Sequence, residues 1–374
     1  MRTSLIYLAI LTVPHAIDAQ RGPRVDLKPI LDLSADAPSG APQFSSVTSA
    51  IRFDDGTIVI ADGDELALRF FDRSGKLVRA VGRAGGGPGE FRSLNWLGRC
   101  GGDSLFAWDA AQQRMSVFGA NGTYVRQFTL GAHAAPIMTL ACNGAGEVIF
   151  QDQPKPARRS RPQSSGNTRQ DRILPTTAGI QIVDRTGTHP RALGDWSAGT
   201  WYRVGTGTGP LPLGTMSYVA AAGARMFVGT ADSVAAISVW SGAKGPATIT
   251  LKIPRRRPTA AEHQRAAAAA AAIAPRAMRD VVEDSLDKAP MPDALPPYAG
   301  LFGDRDGVLW VLLTVPGDDA IRLRAIGARN QVLGDVALPA DVTVDEVDHD
   351  AIVATYTDTD DLPHVVVYRL HRGP

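Results

Sequence analysis

The sequence predicts an all-β protein, a six-bladed β-propeller whose last blade is completed by a strand from the N-terminal end of the chain. The prediction depends on two kinds of turn that recur between β-rich runs, and on a final repeat that lacks one strand. The first kind of turn recurs at residues 54–56, 101–103, 143–146, 222–224, 304–307 and 348–350. A two-sheet sandwich is the rival architecture, because short strands at regular spacing allow it as well.

The second kind of turn follows an outer strand and places Gly, Asn or Asp where the chain must reverse. It occurs at 72–75, 119–122 and 184–187, with weaker copies at 242–245 and 327–330. After the sixth turn of the first kind, residues 364–370 form the one further strand that the sequence predicts. The sixth unit is therefore one strand short, and residues 25–33 can supply it. Such a closed ring leaves no exposed sheet edge.

The first 19 residues have the pattern of a secretory signal peptide. One early positive charge precedes the apolar run Leu5 to Val13, which is too short to span a bilayer, and a small residue, Ala19, marks the expected cleavage site. We expect the propeller to occupy residues 20–374. No later segment has the unbroken apolar length of a membrane helix. The sequence thus predicts an exported protein, periplasmic or extracellular, that is not embedded in a membrane.

Charge and cysteine content restrict the partners. The formal net charge is +1, which lacks the strong basicity of a nucleic-acid binder. We expect a monomer whose partner is a small molecule, a glycan or a protein. The only cysteines, Cys100 and Cys142, each end a strand just before a turn of the first kind. Equivalent positions in consecutive repeats of an exported protein predict a disulfide between blades 2 and 3.

Two stretches carry a family resemblance. Residues 81–91 form a Gly-rich loop that ends in Pro-Gly-Glu-Phe, and residues 108–118 contain an Asp followed by Arg and an alternating apolar run ending in Phe118. This pattern resembles the NHL-repeat signature of exported bacterial six-bladed propellers. The glycines permit a tight crossing between blades, and Phe91 is expected to pack there. A phosphate-binding loop would need a helix after the glycines, whereas strand-like sequence follows.

Long insertions are expected on one face. If the strands of a blade are labelled A to D from the channel outward, the two kinds of turn are the A–B and C–D turns, and they lie on what we call the narrow-turn face. The opposite face, here the insertion face, is expected to carry a basic B–C loop at 154–178 and D–A loops at 195–215 and 254–297. Insertions confined to one face often mark the binding face.

The third insertion predicts a short helical segment. Thr259 and Glu262 form a capping box before an alanine-rich run, Pro275 interrupts it, and residues 276–286 form a second amphipathic stretch. The segment is either a lid over the channel mouth or a decoration packed on the rim. The basic loop and the run 255–257 could contact an anion or an acidic glycan, or could simply be solvated.

Candidate ligand-binding residues come from the insertion face and from the Gly-rich crossing. Aromatic side chains stack on sugar rings or fill partner pockets, so Trp196, Trp201 and Tyr202 are candidates, together with Arg203. They could equally anchor their loop on the blade beneath. Arg83, in the Gly-rich crossing, is a further candidate.

Carboxylates at the starts of the B–C loops raise the question of a metal. Asp62 and Asp109 occupy equivalent positions in blades 1 and 2, and similar residues follow at Asp64, Asp152, Asp232, 318–319, Asp358 and Asp360. A ring of them could hold calcium, or could cap loop amides. The mature histidines lie far apart in sequence, and we predict no zinc site and no resident cofactor, although calcium or zinc stays open.

Two functions follow from these features. The first is a non-catalytic binding or scaffold propeller of unknown ligand, with the insertion face as its binding face. The alternative is a metal-dependent enzyme similar to propeller lactonases or lyases, with its metal near the channel axis. No catalytic residue can be assigned, because the sequence contains neither a Gly-x-Ser-x-Gly elbow nor a His-Glu-x-x-His helix.

Overall fold

The structure is a computed structural model that describes residues 22–34, 44–130, 137–157, 173–204, 207–232, 234–242, 245–272, 278–314 and 320–373. The predicted signal peptide at residues 1–19 lies outside these residues, as do 158–172 of the basic loop. His133, Asp318, Asp319 and the predicted helix break at Pro275 also lie outside them.

Six antiparallel sheets form the blades, and the predicted all-β propeller is confirmed. Two short strands come first, β1 (Arg24–Val25) and β2 (Leu31–Ser34). Blade 1 contains β3 (Val47–Arg52), β4 (Ile58–Asp62), β5 (Ala67–Phe71) and β6 (Leu77–Val81). Blade 2 contains β7 (Leu94–Cys100), β8 (Ser104–Asp109), β9 (Arg114–Phe118) and β10 (Tyr124–Thr129). Blade 3 contains β11 (Ile137–Cys142), β12 (Val148–Asp152), β13 (Lys155–Pro156), β14 (Ile173–Val183), β15 (Arg191–Val204) and β16 (Gly207–Pro210).

The second half of the chain completes the ring. Blade 4 contains β17 (Tyr218–Ala222), β18 (Arg225–Gly229), β19 (Ala236–Ser241) and β20 (Ala247–Thr250). Two helices follow, α1 (Ala260–Ala272) and α2 (Arg279–Asp287). Blade 5 contains β21 (Tyr298–Gly303), β22 (Leu309–Leu313), β23 (Ala320–Ile326) and β24 (Val332–Pro339). Blade 6 contains β25 (Thr343–Val347), β26 (Ala351–Thr357) and β27 (Pro363–His371).

Blade 6 is closed by the N-terminal end of the chain, as predicted. Residues Leu31–Ser34 of β2 pair with His364–Val367 of β27, and β1 extends the same pairing to His371. Two histidines of β27 reinforce it, because His364 Nδ1 lies 2.8 Å from Asp32 Oδ1 and His371 Nε2 lies 2.8 Å from Asp26 Oδ2. The closing strand is thus held by backbone pairing and by two Asp–His contacts.

The Gly-rich crossing between blades 1 and 2 has a structural role. Phe91 is fully buried between these blades and packs against Phe118, as the sequence predicted. The buried Arg114 guanidinium donates hydrogen bonds to the carbonyls of Gly86 and Gly87 at 3.0 Å and of Glu90 at 2.6 Å. The Asp-to-Arg part of the NHL-like pattern therefore fixes the Gly-rich part that precedes it.

The insertions into blade 3 are strands rather than loops, which corrects the predicted boundaries. Residues 173–178 belong to β14 and residues 195–204 to β15, so this hairpin continues well beyond the other blades and gains β13 and β16 as partners. β-Branched and aromatic residues line the extension, and cross-strand pairing extends the sheet where a polar loop was predicted. Tyr202 and Leu211 of the extension pack against Ala267 of α1 and Leu286 of α2, so the two insertions form one unit.

The helical segment begins as predicted. The Thr259 backbone N–H donates to Glu262 Oε2 at 2.7 Å, and the Glu262 N–H donates back to Thr259 Oγ1 at 3.3 Å. Arg256 forms an ion pair with Glu262 and so stabilises the same turn. The base of the insertion is closed where the Leu295 N–H donates to the Arg256 carbonyl at 2.8 Å. Neither helix among the described residues is long and apolar enough to span a membrane.

Cys100 and Cys142 form the predicted disulfide between blades 2 and 3, with their Cα atoms 5.6 Å apart. Both cysteines end inner strands, and the Gly101 N–H donates to the Asn143 carbonyl at 3.2 Å directly beside the bond. The equivalent positions of neighbouring inner strands approach closely enough here because the strands converge on the channel.

Replacing both cysteines by alanine is expected to lower the free energy of unfolding by about 2–4 kcal/mol, because the closed loop restricts the unfolded chain. Urea unfolding of the oxidised parent, the reduced parent and the double variant measures this. Equal midpoints for the oxidised and reduced parent would show that the bond contributes no stability.

The Asp–His contacts of blade 6 predict a pH dependence of stability. Burial by itself lowers the pKa of His364, but hydrogen bonds to Asp32 and Asp358 outweigh burial and raise the pKa above its usual value. A raised histidine pKa contributes stability that is fully present below about pH 6.5 and is lost as the pH rises through the folded-state pKa. We therefore expect the fall in urea midpoint between pH 6 and pH 8.5 to be smaller in His364→Gln and in Asp32→Asn than in the parent. An identical fall in parent and variants would contradict the assignment, and His189→Gln, in an exposed turn, serves as the control.

Candidate functional site

The inner strands of all six blades enclose a channel cavity of about 550 Å³. Its walls combine apolar side chains such as Ile51, Leu140 and Leu301 with polar groups. The cavity reaches the narrow-turn face, where residues of the A–B turns, including Asp103 and Arg305, lie on its rim. A volume of this size is typical of small-molecule sites, and such sites combine mostly apolar walls with a few convergent polar groups.

Two consecutive carboxyl groups, Asp345 and Glu346, lie in the wall of the channel cavity. They occupy β25 at a β-bulge, since the pairing with β26 skips from Val344 to Glu346. A bulge re-aims a side chain that regular alternation would send to the opposite face. The bulge therefore allows both neighbouring carboxyl groups to line the same cavity.

Both carboxyl groups bind the inner edge of blade 1. The Ala50 backbone N–H donates to Asp345 Oδ1 at 3.3 Å, and the Arg52 backbone N–H donates to Glu346 Oε2 at 2.7 Å. Because β3 is the innermost strand of its blade, these amides have no further strand to pair with. The side chains of β25 supply acceptors in place of a strand, and they join blade 6 to blade 1 inside the ring.

Burial makes these carboxyl groups weak acids. It raises the pKa of Asp345 to about 7, although the nearby Thr355 side chain and the Ala50 amide act in the opposite direction. Burial, helped by repulsion from Asp348, raises the pKa of Glu346 to about 8 against the opposing effects of the Arg52 amide, Arg99 and Arg305. Glu346 is therefore mainly neutral at pH 7, and Asp345 is close to half ionised.

Four charged side chains connect blades around the channel mouth. Arg99, whose side chain is only 3% exposed, lies 3.4 Å from carboxylate oxygens of both Asp54 and Asp348. Arg305 forms ion pairs with the same two carboxylates, including a contact of 2.6 Å to Asp348 Oδ2. The hydrogen bond from Arg305, aided by Arg99 and opposed by burial, lowers the pKa of Asp54 to about 2. These ion pairs join blades 1, 2, 5 and 6.

Two of the aromatic candidates, Trp201 and Tyr202, are buried, and Trp196 is partly buried. Trp201 is 9% exposed and Tyr202 is 1% exposed, and Tyr202 anchors the helices on the blade-3 extension, which agrees with the anchoring alternative that the sequence left open. Trp196 donates from Nε1 to the Leu193 carbonyl at 3.2 Å and packs edge-on against Trp240. Only Arg203 of this group is exposed.

The B–C loop carboxylates cap backbone amides. Asp62 is fully buried and accepts from the Ser45 and Ser46 amides and from Arg69 Nε at 2.9 Å. Asp109, also fully buried, accepts from the Arg92 amide at 2.7 Å and from the Gln112 amide at 2.9 Å. The capping alternative therefore holds for both, and neither carboxylate is available as a ligand contact.

The remaining candidates do not converge on one site. Arg83 is 80% exposed and forms an ion pair with Glu90 inside the Gly-rich crossing. Within the part of the chain that the structure describes, no three His, Cys, Asp or Glu side chains are grouped so that they could hold a metal ion.

Sequence reasoning missed Asp345 and Glu346, although they left a signal. Two adjacent acids interrupt the apolar alternation of Val342, Val344 and Val347. In a regular strand one of them would point into the apolar packing between blades, which is an unfavourable position for a carboxylate. Adjacent acids in an inner strand thus indicate a bulge whose side chains face the channel.

Comparisons with known proteins agree with this architecture. Residues 45–145 match the model of the DUF5128 family, a 6-bladed beta-propeller family. The structure of a DUF4221 family member from Bacteroides vulgatus superposes with a TM-score of 0.53 at 10% identity, covering 95% of this chain and 100% of that chain. The chain has the fold of a six-bladed propeller. At this identity the likeness shows the fold alone.

Two further structures overlay more loosely. One is a Bacteroides fragilis protein that is inferred to be exported. It superposes with a TM-score of 0.47 at 11% identity, over 96% of this chain and 98% of that chain. The other is virginiamycin B lyase from Staphylococcus aureus, with a TM-score of 0.43 at 10% identity over 90% of this chain and 98% of that chain. Neither overlay is close enough to support a conclusion about function. No curated protein matches this sequence.

Glu346→Gln is expected to stabilise the protein at alkaline pH. The pKa of Glu346 rises from 4.5 to about 8 on folding, so the stability that its protonation contributes is fully present below about pH 4.5 and is lost as the pH rises through about 8. At pH 9 the glutamine variant should be more stable than the parent by on the order of 2 kcal/mol, and at pH 4.5 the two should be similar. Urea unfolding at both pH values measures the difference. A parent and variant that respond to pH alike would show that Glu346 ionises freely in the folded protein.

Proposed function

We propose that this chain is an exported, non-catalytic propeller that binds a small molecule in its central channel. The observation that carries the proposal is the channel cavity of about 550 Å³, lined by all six blades, with the carboxyl groups of two half-buried residues, Asp345 and Glu346, in its wall. Acids with perturbed pKa values inside a cavity with apolar and polar walls are a common mark of a ligand site.

The channel is a better candidate than the insertion face that the sequence favoured. On the insertion face, Tyr202 and Leu211 are used in packing the helical segment, and Trp196 packs against Trp240. The channel cavity instead contains polar groups that converge from several blades on one space. The blade-3 extension and the helices then support the rim and need not touch the ligand.

Binding rather than catalysis is proposed because the two carboxyl groups have structural partners. Each accepts a hydrogen bond from a β3 amide, so moving either group during a reaction would disturb the contact between blades 6 and 1. The alternative, a metal-dependent lactonase- or lyase-like enzyme, makes a separate prediction. Elemental analysis of the purified protein would favour it if a metal were held tightly at one ion per chain.

Export is supported by the chemistry of the cysteines. A disulfide that joins two blades, such as Cys100–Cys142, is stable in oxidising compartments and is rare in the cytosol. The signal-like residues 1–19 are consistent with the same compartment. The proposed location is therefore the periplasm or the outside of the cell.

Thr343→Trp is expected to weaken ligand binding at least tenfold, because Thr343 is exposed to the channel cavity and the indole would occupy part of it. A thermal-shift screen of water-soluble amines, acids, sugars and short peptides would first identify ligands of the parent. Thr357→Trp is the matched control, since Thr357 is an exposed threonine on the neighbouring strand β26 and does not line the cavity.

The two tryptophan variants should unfold at similar temperatures without ligand. A ligand that binds the parent and Thr343→Trp equally well would place the binding site outside the channel. If no compound in the screen binds at millimolar concentration, the proposed small-molecule function is contradicted.

A further inference from the structure

The channel cavity is acidic as well as partly apolar. Its lining includes five carboxyl groups, on Asp103, Asp304, Asp345, Glu346 and Asp348, and two guanidinium groups, on Arg99 and Arg305. Asp348 is paired with both arginines, Asp103 with Arg99 at 2.8 Å, and Asp304 with Arg372 at 2.8 Å from outside the lining. Asp345 and Glu346 are therefore the two acidic side chains of the lining that form no ion pair with a cationic side chain of the described residues.

The acceptor capacity of these two groups is incompletely used. Asp345 Oδ2 is buried and has no partner at hydrogen-bond distance within the parts of the chain that the structure describes; the other oxygen binds the Ala50 amide, and the Thr355 side chain lies near the group. Buried acceptors without a partner are rare in folded proteins. Glu346 receives one backbone hydrogen bond, whereas an ionised carboxylate accepts several. Both groups can accept further donors, and N–H donors that bring positive charge would also stabilise their ionised forms.

We propose that the channel binds a small organic cation, an alkylamine whose ammonium group pairs with Glu346 and Asp345 and whose apolar body contacts the channel walls. This inference rests on the proposed function and adds the chemical class of the ligand. The apolar residues Ile51, Leu140 and Leu301 in the lining suit a hydrocarbon body, and the two adjacent carboxyl groups suit a charged head.

Proton release is the signature of this binding mode. Glu346 is mainly neutral at pH 7, so an ammonium group that pairs with it must first displace its proton. The charges that face Glu346 are Asp348 from the β25–β26 turn, Arg99 from β7 and Arg305 from the β21–β22 turn, while the Arg52 guanidinium is paired with Asp350 at 2.7 Å. These neighbours are already ion-paired, so the carboxyl groups of β25 should supply the proton.

The experiment uses n-butylamine and 1,4-diaminobutane as probes and 1-butanol as the uncharged comparison. Calorimetry in two buffers of different ionisation heat should show release of about one proton per bound amine at pH 7 and almost none at pH 9. The amines should bind about tenfold more tightly at pH 9 than at pH 7, because the carboxyl group is then already ionised. 1-Butanol should bind more weakly, with no proton release.

Glu346→Gln should remove most of the proton release and the pH dependence, and should weaken amine binding at least tenfold at pH 9. The glutamine oxygen can still accept the Arg52 N–H, and Asp345→Asn provides a second variant if the first does not fold. Glu283→Gln, on the exposed surface of α2, is the matched control and should behave as the parent.

The outcomes separate the ligand class from the proposed function. Amine binding without proton release, or unaffected by Glu346→Gln, would overturn the inference. Binding of a sugar or an acid that Thr343→Trp abolishes would also overturn it, while leaving the channel as the binding site. Amine binding that is insensitive to Thr343→Trp would overturn both.

Discussion

Closure between blade 6 and blade 1 is the constraint on which the rest of the molecule depends. Contacts at three places close the ring: the outer strand, the inner strand edge and the channel mouth. At the outside, β2 completes blade 6 through its pairing with β27. At the inside, Asp345 and Glu346 accept the edge amides of β3. At the mouth, Arg305 and Asp348 join Asp54 of blade 1. The residues that give the cavity its chemistry are thus also residues that hold the ring together.

The channel sorts its carboxyl groups into two classes by their surroundings. Asp54 and Asp348 lie where two guanidinium groups reach them, and hydrogen bonds from Arg305 and Arg99 keep the pKa of Asp54 near 2. Asp345 and Glu346 lie in the wall of the cavity, where burial raises the pKa of both; for Glu346 it outweighs the attraction of Arg99 and Arg305. The ion-paired carboxylates stabilise the mouth, whereas the carboxyl groups of Asp345 and Glu346 have pKa values near neutral pH.

Much of the fold could be predicted from the sequence because local turn chemistry repeats. Gly and Asp at the six A–B turns fixed the number of blades, and the missing strand in the sixth repeat predicted the role of β2. The blade-3 extension could not be predicted, because its residues form strands only through the pairing of β14 with β15, and this hairpin contains polar and glycine residues. The channel carboxyl groups were missed for a related reason: their importance comes from the convergence of strands distant in sequence, and local pattern shows only an interrupted alternation. The two alternatives for Tyr202, ligand contact or anchor, could not be separated because sequence cannot distinguish an exposed aromatic from one covered by a distant helix.

The pairing of β2 with β27 also fixes an order of events for a chain that is synthesised from its N-terminus. His364 and its partner Asp32 are 332 residues apart, so β2 cannot pair until β27, the last strand, has been made. Blades 1 to 5 can each form from contiguous sequence, but during that time β2 and the inner edge of β3 lack their partners. Arrested or truncated chains would therefore present unpaired strand edges at both ends, which is a state prone to aggregation. The ring has a single seam, and only the complete chain can close it.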